Sequence, residues 1–316
     1  MYAIETNSLT KKYGEKTVVN KVNLKVKKGS IFGFLGKNGA GKSTLINMLT
    51  GLAIPSSGSF KLNLKDTESK RKVQTKVGVM PDYSSFYDDL SALEHLKYFS
   101  KILGLKMKKE EFIKLLQKVG LENDTNLKVK KFSFGMKKKL GIAQTLLNNP
   151  DIIFLDEPTS GVDANSVLTI HSLIKDISGD GTTVFLTSHN LDEVEKLCDE
   201  ISIMDKGIIK LQGSIESLKK EFQKNLIVTV KHGPIPSQHK EQLKHKLDSI
   251  ASNVEWGEEN VRLVVSEEKK IPSMNRLFTG LDIDVYRIQV YEPSLEEIFL
   301  NTGKEEAVPL HSQDAV

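Results

Sequence analysis

The run Gly36–Thr44 has the residue types and the spacing of a loop that binds phosphate. Its glycines let backbone N–H groups curl around an anion, and a following helix would add a favourable dipole. Lys42 supplies positive charge for the outer phosphates, and Ser43 supplies a hydroxyl oxygen for magnesium. Residues 30–35 predict a buried strand before the loop, and residues 45–49 predict a helix after it. The alternative is a glycine-rich turn that binds nothing. The candidate nucleotide contacts are Gly36, Lys37, Asn38, Gly39, Ala40, Gly41, Lys42, Ser43 and Thr44.

A second run, residues 151–157, is an apolar stretch that ends in two carboxylates. Continuous apolar character predicts a strand that is buried on both faces of a parallel sheet. Asp156, at the end of this strand, is predicted to lie beside Ser43 and to hold magnesium through water. Glu157 projects one residue further and is the candidate base that orients and deprotonates an attacking water. The alternative is a core strand followed by a solvated acidic turn.

Four shorter motifs accompany these two runs. They are Leu9–Gly14, which contains Tyr13, and Phe132–Met136, Ser160–Asp163 and Thr187–His189. With this set of motifs in this order, the chain resembles the nucleotide-binding subunit of ATP-binding cassette (ABC) transporters over about residues 2–215. The phosphate loop then corresponds to the Walker A motif, and the strand that ends at Asp156 corresponds to the Walker B motif.

The resemblance implies a role for each motif. It implies that Tyr13 stacks on adenine and that His189 contacts the γ-phosphate as a second catalytic residue beside Glu157. It implies that Ser133 and Gly135 contact the phosphate held by a partner subunit, while Asp163 lies in the loop that crosses to that partner. The implied ligands are ATP and Mg²⁺. They would be held by a head-to-tail homodimer or by a heterodimer with a second cassette.

These residues also have purely structural interpretations. Tyr13 could be an aromatic residue at the end of a strand, and His189 could be a core histidine with satisfied hydrogen bonds. Ser133 and Asp163 could each cap the helix that follows. For Ser133 the two roles are compatible, because the family presents this motif at a helix N-terminus.

Three positions depart from the family pattern. Asp82 stands where glutamine is usual; a carboxylate can still reach magnesium through water but cannot donate as an amide. Phe134 replaces a glycine, and Met136 replaces a glutamine that contacts the ribose side. The Ser-x-Gly-Met-Lys sequence and residues 292–300 resemble a subgroup of bacterial ATPases that export drugs and peptides.

Length and composition limit the remaining possibilities. The 316 residues suggest two domains, and 39% hydrophobic with 27% charged residues is typical of a soluble globular protein. No stretch approaches the ~18 apolar residues that would span a bilayer, and residues 1–6 lack the layout of a signal peptide. The single cysteine, Cys198, excludes an internal disulfide and is predicted to be a small buried residue.

The charge distribution does not favour a nucleic-acid partner. The net charge is a modest +4, and no aromatic platform accompanies the basic residues between 128 and 139. We predict that these lysines form a solvated face, the alternative being attraction to lipid head groups or to a membrane partner. They are Lys128, Lys130, Lys131, Lys137, Lys138 and Lys139.

The order of predicted elements indicates an α/β fold with a parallel sheet, and the resemblance implies that residues 1–215 form a P-loop NTPase cassette. Residues 2–28 alternate apolar and polar positions and predict an antiparallel β subdomain. Residues 83–148 predict an inserted helical subdomain with a capping box at Ser91 and Glu94. The parallel sheet is predicted to continue with strands at 151–156, 182–188 and 200–205.

A second domain is predicted for residues 216–303 and a disordered tail for residues 304–316. The element order in the second domain is βαββαβ, which is that of a ferredoxin-like α+β fold. No catalytic set of residues is visible there, so a role in dimer stability or regulation is expected.

The predicted function is that of the ATP-hydrolysing motor of an exporter. A separate membrane permease would carry the drug, antibiotic or peptide, so this subunit is expected at the cytoplasmic face of the membrane. Two alternatives stay open, a soluble cassette ATPase that acts on ribosomes or DNA and an importer ATPase. The first is disfavoured because the chain has one cassette and no sustained heptads.

Overall fold

The computed structural model describes residues 1–64, 76–82, 86–222, 226–291 and 295. The chain divides into two compact units, Met1–Ile215 and Glu216–Val316. The segment 292–300, which resembles the exporter subgroup, and the tail predicted over residues 304–316 lie outside the described residues, apart from Leu295.

The first unit contains both strands and helices. Its strands are β1 (Tyr2–Tyr13), β2 (Lys16–Lys27), β3 (Ile31–Leu35), β4 (Ser57–Leu62), β5 (Val77–Met80), β6 (Ile152–Asp156), β7 (Thr183–Ser188), β8 (Glu200–Asp205) and β9 (Ile208–Ser214). Its helices are α1 (Lys42–Leu49), α2 (Ala92–Ile102), α3 (Lys109–Lys118), α4 (Phe134–Thr145), α5 (Ala164–Gly179) and α6 (Leu191–Leu197).

Six strands form the central sheet in the order β5-β6-β7-β3-β8-β9. The first five are parallel, and β9 pairs antiparallel with β8. Strands β3, β6 and β7 are buried along their whole length, as expected for parallel strands covered on both faces. Leu35, Asp156 and Ser188, the last residues of these three strands, therefore share the carboxyl edge of the sheet, where α/β proteins bind ligands.

An antiparallel sheet in the order β2-β1-β4 confirms the prediction for residues 2–28. Its inward side chains, such as Ile4 and Leu24, share one apolar core with α1 and with Phe32 and Phe154 of the central sheet. The first unit is thus built around a core that both sheets contribute to.

The segment between β5 and β6 is mainly helical, as predicted. Helix α2 begins with the predicted capping box, in which the Glu94 carboxylate accepts from the Ser91 N–H at 2.8 Å and the Ser91 hydroxyl accepts from the Glu94 N–H at 3.3 Å. Helix α4 lies so close to β5 that a Cβ on Gly78 would stand only 2.4 Å from the Thr145 carbonyl oxygen.

Helix α7 (Ile215–Phe222) leads into the second unit. The elements that follow are β10 (Leu226–His232), α8 (Ser237–Ile250), β11 (Ser252–Trp256), β12 (Asn260–Val265), α9 (Ile271–Thr279) and β13 (Val285–Tyr291). They form an antiparallel sheet in the order β11-β12-β10-β13, which confirms the ferredoxin-like prediction. Its apolar core includes Val228, Leu243, Val261 and Phe278.

Two further sequence-based expectations can be compared with the described residues. Cys198 follows α6, and burial raises the pKa of its thiol, which confirms a small buried residue rather than a reactive one. Across the described residues, every helix is either too short or too polar to cross a lipid bilayer.

Candidate nucleotide site

The predicted phosphate loop joins the end of β3 to the first turn of α1. Gly41 directly precedes α1 with φ at 114°, a left-handed conformation that glycine adopts readily. Gly36 is required for space, since a Cβ there would lie 2.4 Å from the Met204 carbonyl oxygen. The first N–H groups of any helix have no carbonyl partner within that helix. The backbone N–H groups of the loop and of the first turn of α1 are therefore available to bind the same anion.

A cavity of about 200 Å³ lies over this loop. Three acidic side chains, Asp82, Asp156 and Glu157, face it from the carboxyl edge of the sheet. The rest of the lining consists of Val18, Lys37, Asn38, Gly39, Ala40, Gly41, Lys42, Ser43 and Thr44. The fold therefore brings eight of the nine predicted loop residues together with all three predicted acidic residues. Val18, from β2, was not identified from the sequence.

Lys42 is buried beneath the cavity. Its ammonium group donates to the Gly36 carbonyl oxygen at 2.7 Å and lies 3.9 Å from Glu157 Oε1. A lysine side chain is almost never fully buried unless it is paired, so these contacts explain why the chain accommodates it. The positive charge is thereby held between the loop and the acidic edge of the sheet.

Asp156 lies beside Ser43, at the place the sequence predicts. The Ser43 hydroxyl donates to Asp156 Oδ2 at 3.0 Å, and the Thr187 hydroxyl donates to Oδ1 at 2.5 Å. Hydroxyl and carboxylate oxygens are ligands that Mg²⁺ prefers, and one or two carboxylates together with substrate phosphates is its usual protein environment. The residues present therefore fit a magnesium ion that is bound together with a nucleotide.

Glu157 has an unusual backbone conformation. Its φ is 51°, a left-handed value that costs a non-glycine residue about 1–3 kcal/mol. Side chains hold both of its backbone polar groups, because its N–H donates to Thr187 Oγ1 at 3.1 Å and its carbonyl accepts from Lys138 Nζ at 2.7 Å. Such strain persists only where the surroundings enforce it, and it concentrates at functional sites.

His189 follows directly after β7 and reaches the Glu157 carboxylate. Its Nδ1 lies 2.9 Å from Glu157 Oε2, and 61% of its side chain is exposed. The alternative interpretation as a core histidine is therefore wrong. The Glu157 carboxylate is therefore buried between the His189 imidazole and the Lys42 ammonium, and it lines the cavity.

Besides Gly36 and His189, four predicted site residues lie outside the cavity lining. Tyr13, at the end of β1, is half exposed, and the Lys11 ammonium lies 4.8 Å from its ring centroid. Ser133 caps α4 by accepting from the Met136 N–H at 3.2 Å. The other two, Gly135 and Asp163, meet at the start of α5.

Asp163 caps α5 by accepting from the Ser166 N–H at 3.1 Å. Hydrogen bonds from the side chain and backbone of Ser166 hold the pKa of this carboxyl below its usual range. Gly135 is buried against the same residue, because a Cβ there would lie 2.7 Å from Ser166 Oγ. The segment that begins at Ser133 and the loop that ends at Asp163 are therefore packed against each other.

The prediction of a solvated lysine face is wrong for Lys138. Only 9% of its side chain is exposed, whereas Lys130 and Lys137 form ion pairs with exposed carboxylates of Asp89 and Asp88. A signal was available in the sequence. Lys138 stands three residues from both Gly135 and Gly141, which is the spacing of one buried helix face.

Domain models match both parts of the chain. One described as ABC transporter matches residues 19–160, and one described as the C-terminal domain of DrrA1-3-like ATP-binding proteins matches residues 213–302.

Several relatives align along most of this sequence. The bacitracin transport ATP-binding protein BcrA of Bacillus licheniformis is 35% identical over 299 residues, covering 94% of this chain and 96% of the relative. The linearmycin resistance ATP-binding protein LnrL of Bacillus subtilis is 33% identical over 310 residues, covering 95% and 98%. The lantibiotic transport ATP-binding protein SrtF of Streptococcus pyogenes is 37% identical over 228 residues, covering 71% and 97%.

Solved structures match the first unit in particular. An ATP-binding subunit of an ABC transporter aligns with a TM-score of 0.62 and 27% identity, covering 70% of this chain and 93% of that one. A dimeric ATP-binding cassette in a post-hydrolysis state with ADP and Pi aligns with a TM-score of 0.60 and 25% identity, covering 67% and 98%. With the phosphate loop, the acidic sheet edge and these relatives in agreement, the chain belongs to the family of ABC transporter ATP-binding proteins and is an ATP-hydrolysing transporter subunit.

Proposed function

We propose that this chain hydrolyses ATP to drive the export of an antibiotic or peptide through a separate membrane permease. The observation that carries the proposal is the meeting of Lys42, Ser43, Asp156, Glu157 and His189 at one edge of the central sheet. The names of the bacitracin, linearmycin and lantibiotic relatives support this class of substrate.

The phosphates of ATP are bound by the loop over α1. Backbone N–H groups of residues 36–44 donate to the β- and γ-phosphate oxygens, and Lys42 places its charge beside them. Ser43 and Asp156 would hold Mg²⁺, and Asp82, which lines the same cavity, would reach it through water. When bound, the metal neutralises charge on the phosphates. Tyr13 presents an exposed ring on which adenine can stack.

Glu157 acts on the water that attacks the γ-phosphorus. Its carboxylate accepts a proton from that water as the new P–O bond forms and the bond to the β–γ bridging oxygen breaks. His189 contacts this carboxylate at 2.9 Å and keeps its oxygens directed towards the cavity, while its exposed ring is free to contact the γ-phosphate.

Two cassettes enclose two ATP molecules head to tail. Ser133 and Gly135 lie outside their own chain's cavity, at the N-terminus of α4, where a helix dipole favours an anion. We propose that both residues contact the γ-phosphate held by the partner subunit. Asp163 lies on the same surface, in the loop that crosses to the partner. ATP then closes the dimer because it contacts both halves, and hydrolysis releases it.

The permease contact is assigned to the helical segment between β5 and β6. Exposed apolar side chains occur there, including Tyr87, Tyr98, Ile102 and Leu103, and the two tyrosine rings lie 4.8 Å apart. Exposed apolar patches of this kind mark contact sites. This contact would hold the chain at the cytoplasmic face of the membrane.

The test is to trap the Glu157→Gln variant with Mg-ATP and purify it from solubilised membranes. We expect a dimer by light scattering, together with a multi-span membrane protein identified by mass spectrometry. The matched control is Lys42→Ala, which should not form the ATP-dependent dimer but should still bring the membrane protein. Ribosomal proteins in place of a membrane protein would overturn the transporter role in favour of a cassette that acts on ribosomes.

A further inference from the structure

Lys138 is a buried lysine that lies next to the nucleotide site but has no task in the mechanism above. Its ammonium lies 2.7 Å from the Glu157 carbonyl oxygen, 3.4 Å from the Asp82 carbonyl oxygen and 3.5 Å from Asp82 Oδ1. A buried ammonium is stable only when its charge and its three donors are matched. All three of its acceptors belong to residues that line the cavity.

The packing of α4 explains why Lys138 reaches this place. Helix α4 approaches β5 closely at Gly78, and a Cβ on Gly141 would lie 2.9 Å from Met80 Sδ. Asp82 follows two residues after the end of β5. Lys138 is one turn before Gly141 on the same helix face, so its side chain extends along β5 towards Asp82 and the carboxyl edge of the sheet.

The contact with Glu157 fixes a backbone that would otherwise relax. Thr187 accepts from the N–H of Glu157, whose φ is 51°. The Glu157 carbonyl oxygen accepts from Lys138 Nζ at 2.7 Å and, at the longer distance of 3.3 Å, from the Ser160 N–H. The direction of a side chain depends on its backbone dihedrals. Loss of the Lys138 contact would leave only the longer bond from the Ser160 N–H, so the Glu157 backbone could shift and turn the carboxylate away from the attacking water.

We infer that Lys138 is a positioning residue for ATP hydrolysis, which holds the Glu157 backbone in its strained conformation and holds Asp82 in place at the cavity. The inference depends on the proposed role of Glu157 as the base. It also gives α4 two functional positions. Ser133 at its N-terminus faces the partner's nucleotide, and Lys138, about 7.5 Å further along the helix, holds the base of its own site.

The test uses the full-length protein and the Lys138→Met variant, which keeps the length of the side chain but removes its charge and donors. We expect kcat for Mg-ATP to fall about 10- to 100-fold, because a small misplacement of a catalytic group has effects of this size. Equilibrium ATP affinity should stay within about twofold, since the loop is untouched. The matched control is Lys137→Met on the same helix, whose ion pair with Asp88 is exposed, and it should keep its kcat.

A second background separates positioning from general stability. In Glu157→Gln protein, Lys138→Met should lower the residual rate less than about twofold, because residues that act as a unit are not additive. An equal loss of rate with and without Glu157 would overturn the inference, and so would a normal kcat for Lys138→Met. A normal rate for Glu157→Gln alone would instead overturn the proposed base. If Lys138→Met does not fold, Lys138→Gln keeps two donors and should show a smaller loss of kcat with ATP affinity retained.

Discussion

The two units of this chain differ in the charged and polar side chains that they bury. The cassette buries four charged side chains near one sheet edge, namely Lys42, Lys138, Asp156 and Glu157. Among the described residues of the second unit, the only buried polar side chain is His232, which stacks on Phe278. Because burying charge is costly, a chain retains it where chemistry requires it. The contrast assigns the chemistry to the cassette and a packing role to the second unit.

Removal of the proposed base, Glu157, should give the largest effect, a loss of ATP hydrolysis. We expect Glu157→Gln to lower the ATP hydrolysis rate about 10²- to 10⁴-fold while ATP still binds, because the substitution removes a proton acceptor and keeps the shape. Steady-state phosphate release and equilibrium nucleotide binding measure the two effects. Glu216→Gln, in an exposed ion pair with Lys220 outside the cassette, is the control and should hydrolyse normally. A normal rate for Glu157→Gln would contradict the assignment of the base.

Damage to the second unit should change stability without changing chemistry. We expect Phe278→Ala to lower the free energy of unfolding of this unit by about 3–5 kcal/mol, because its ring is fully buried. Trp256 is the only tryptophan of the chain and belongs to this unit's core, so its fluorescence reports this transition during urea unfolding. The exposed Tyr286→Ala substitution is the control. ATP affinity lost together with the Phe278 ring would show that the two units do not divide their tasks in this way.

Removal of the loop charge should weaken binding itself. We expect Lys42→Ala to lower ATP affinity about 10- to 100-fold, because charge-assisted contacts to phosphate are among the stronger hydrogen bonds. Lys61→Ala changes an exposed lysine on β4 and should bind normally. Equal ATP affinities for the two variants would be evidence against the phosphate loop.

A buried histidine of the cassette should give the smallest effect. Burial of His95 lowers its pKa, although the hydrogen bond to Gln144 acts in the opposite direction. Protonation of this histidine therefore favours the unfolded chain. The contribution of neutral His95 to the free energy of unfolding is complete above about pH 6.5 and is lost as the pH falls below that value. The urea midpoint by circular dichroism should fall between pH 7.5 and pH 5.5, and less so in His95→Gln. Burial of His171 acts in the same direction, so part of the slope should remain. An unchanged slope in His95→Gln would show that His95 does not contribute.

Most of the fold could be predicted from local patterns. The phosphate loop is contiguous in sequence, and strands β3, β6 and β7 are mainly apolar runs that are buried along their whole length, so their neighbours in space did not have to be known. Strands β5 and β9, at the two edges of the central sheet, are only partly buried and were not predicted. The order of strands and helices in the second unit was enough to predict its sheet order, because few topologies connect such elements without crossing.

The parts of the site that the sequence did not reveal depend on distant segments. Lys138 contacts Asp82 and Glu157, which are 56 and 19 residues away in the sequence. Because these partners are distant, the sequence alone did not distinguish Lys138 from the solvated lysines beside it. Thr187 was recognised as part of a motif, but its hydrogen bonds to Asp156 and Glu157 follow from strand register. Contacts of this kind are set by packing between elements, and no periodicity encodes them.

The left-handed backbone of Glu157 has a consequence for redesign of this cassette. Glycine adopts that conformation without steric cost, so a procedure that scored backbone strain alone would replace Glu157 with glycine. The product would still bind ATP but would lack the proposed base and would not turn over. Selection on folding and selection on turnover therefore favour different residues at this position, and the presence of glutamate here records the second.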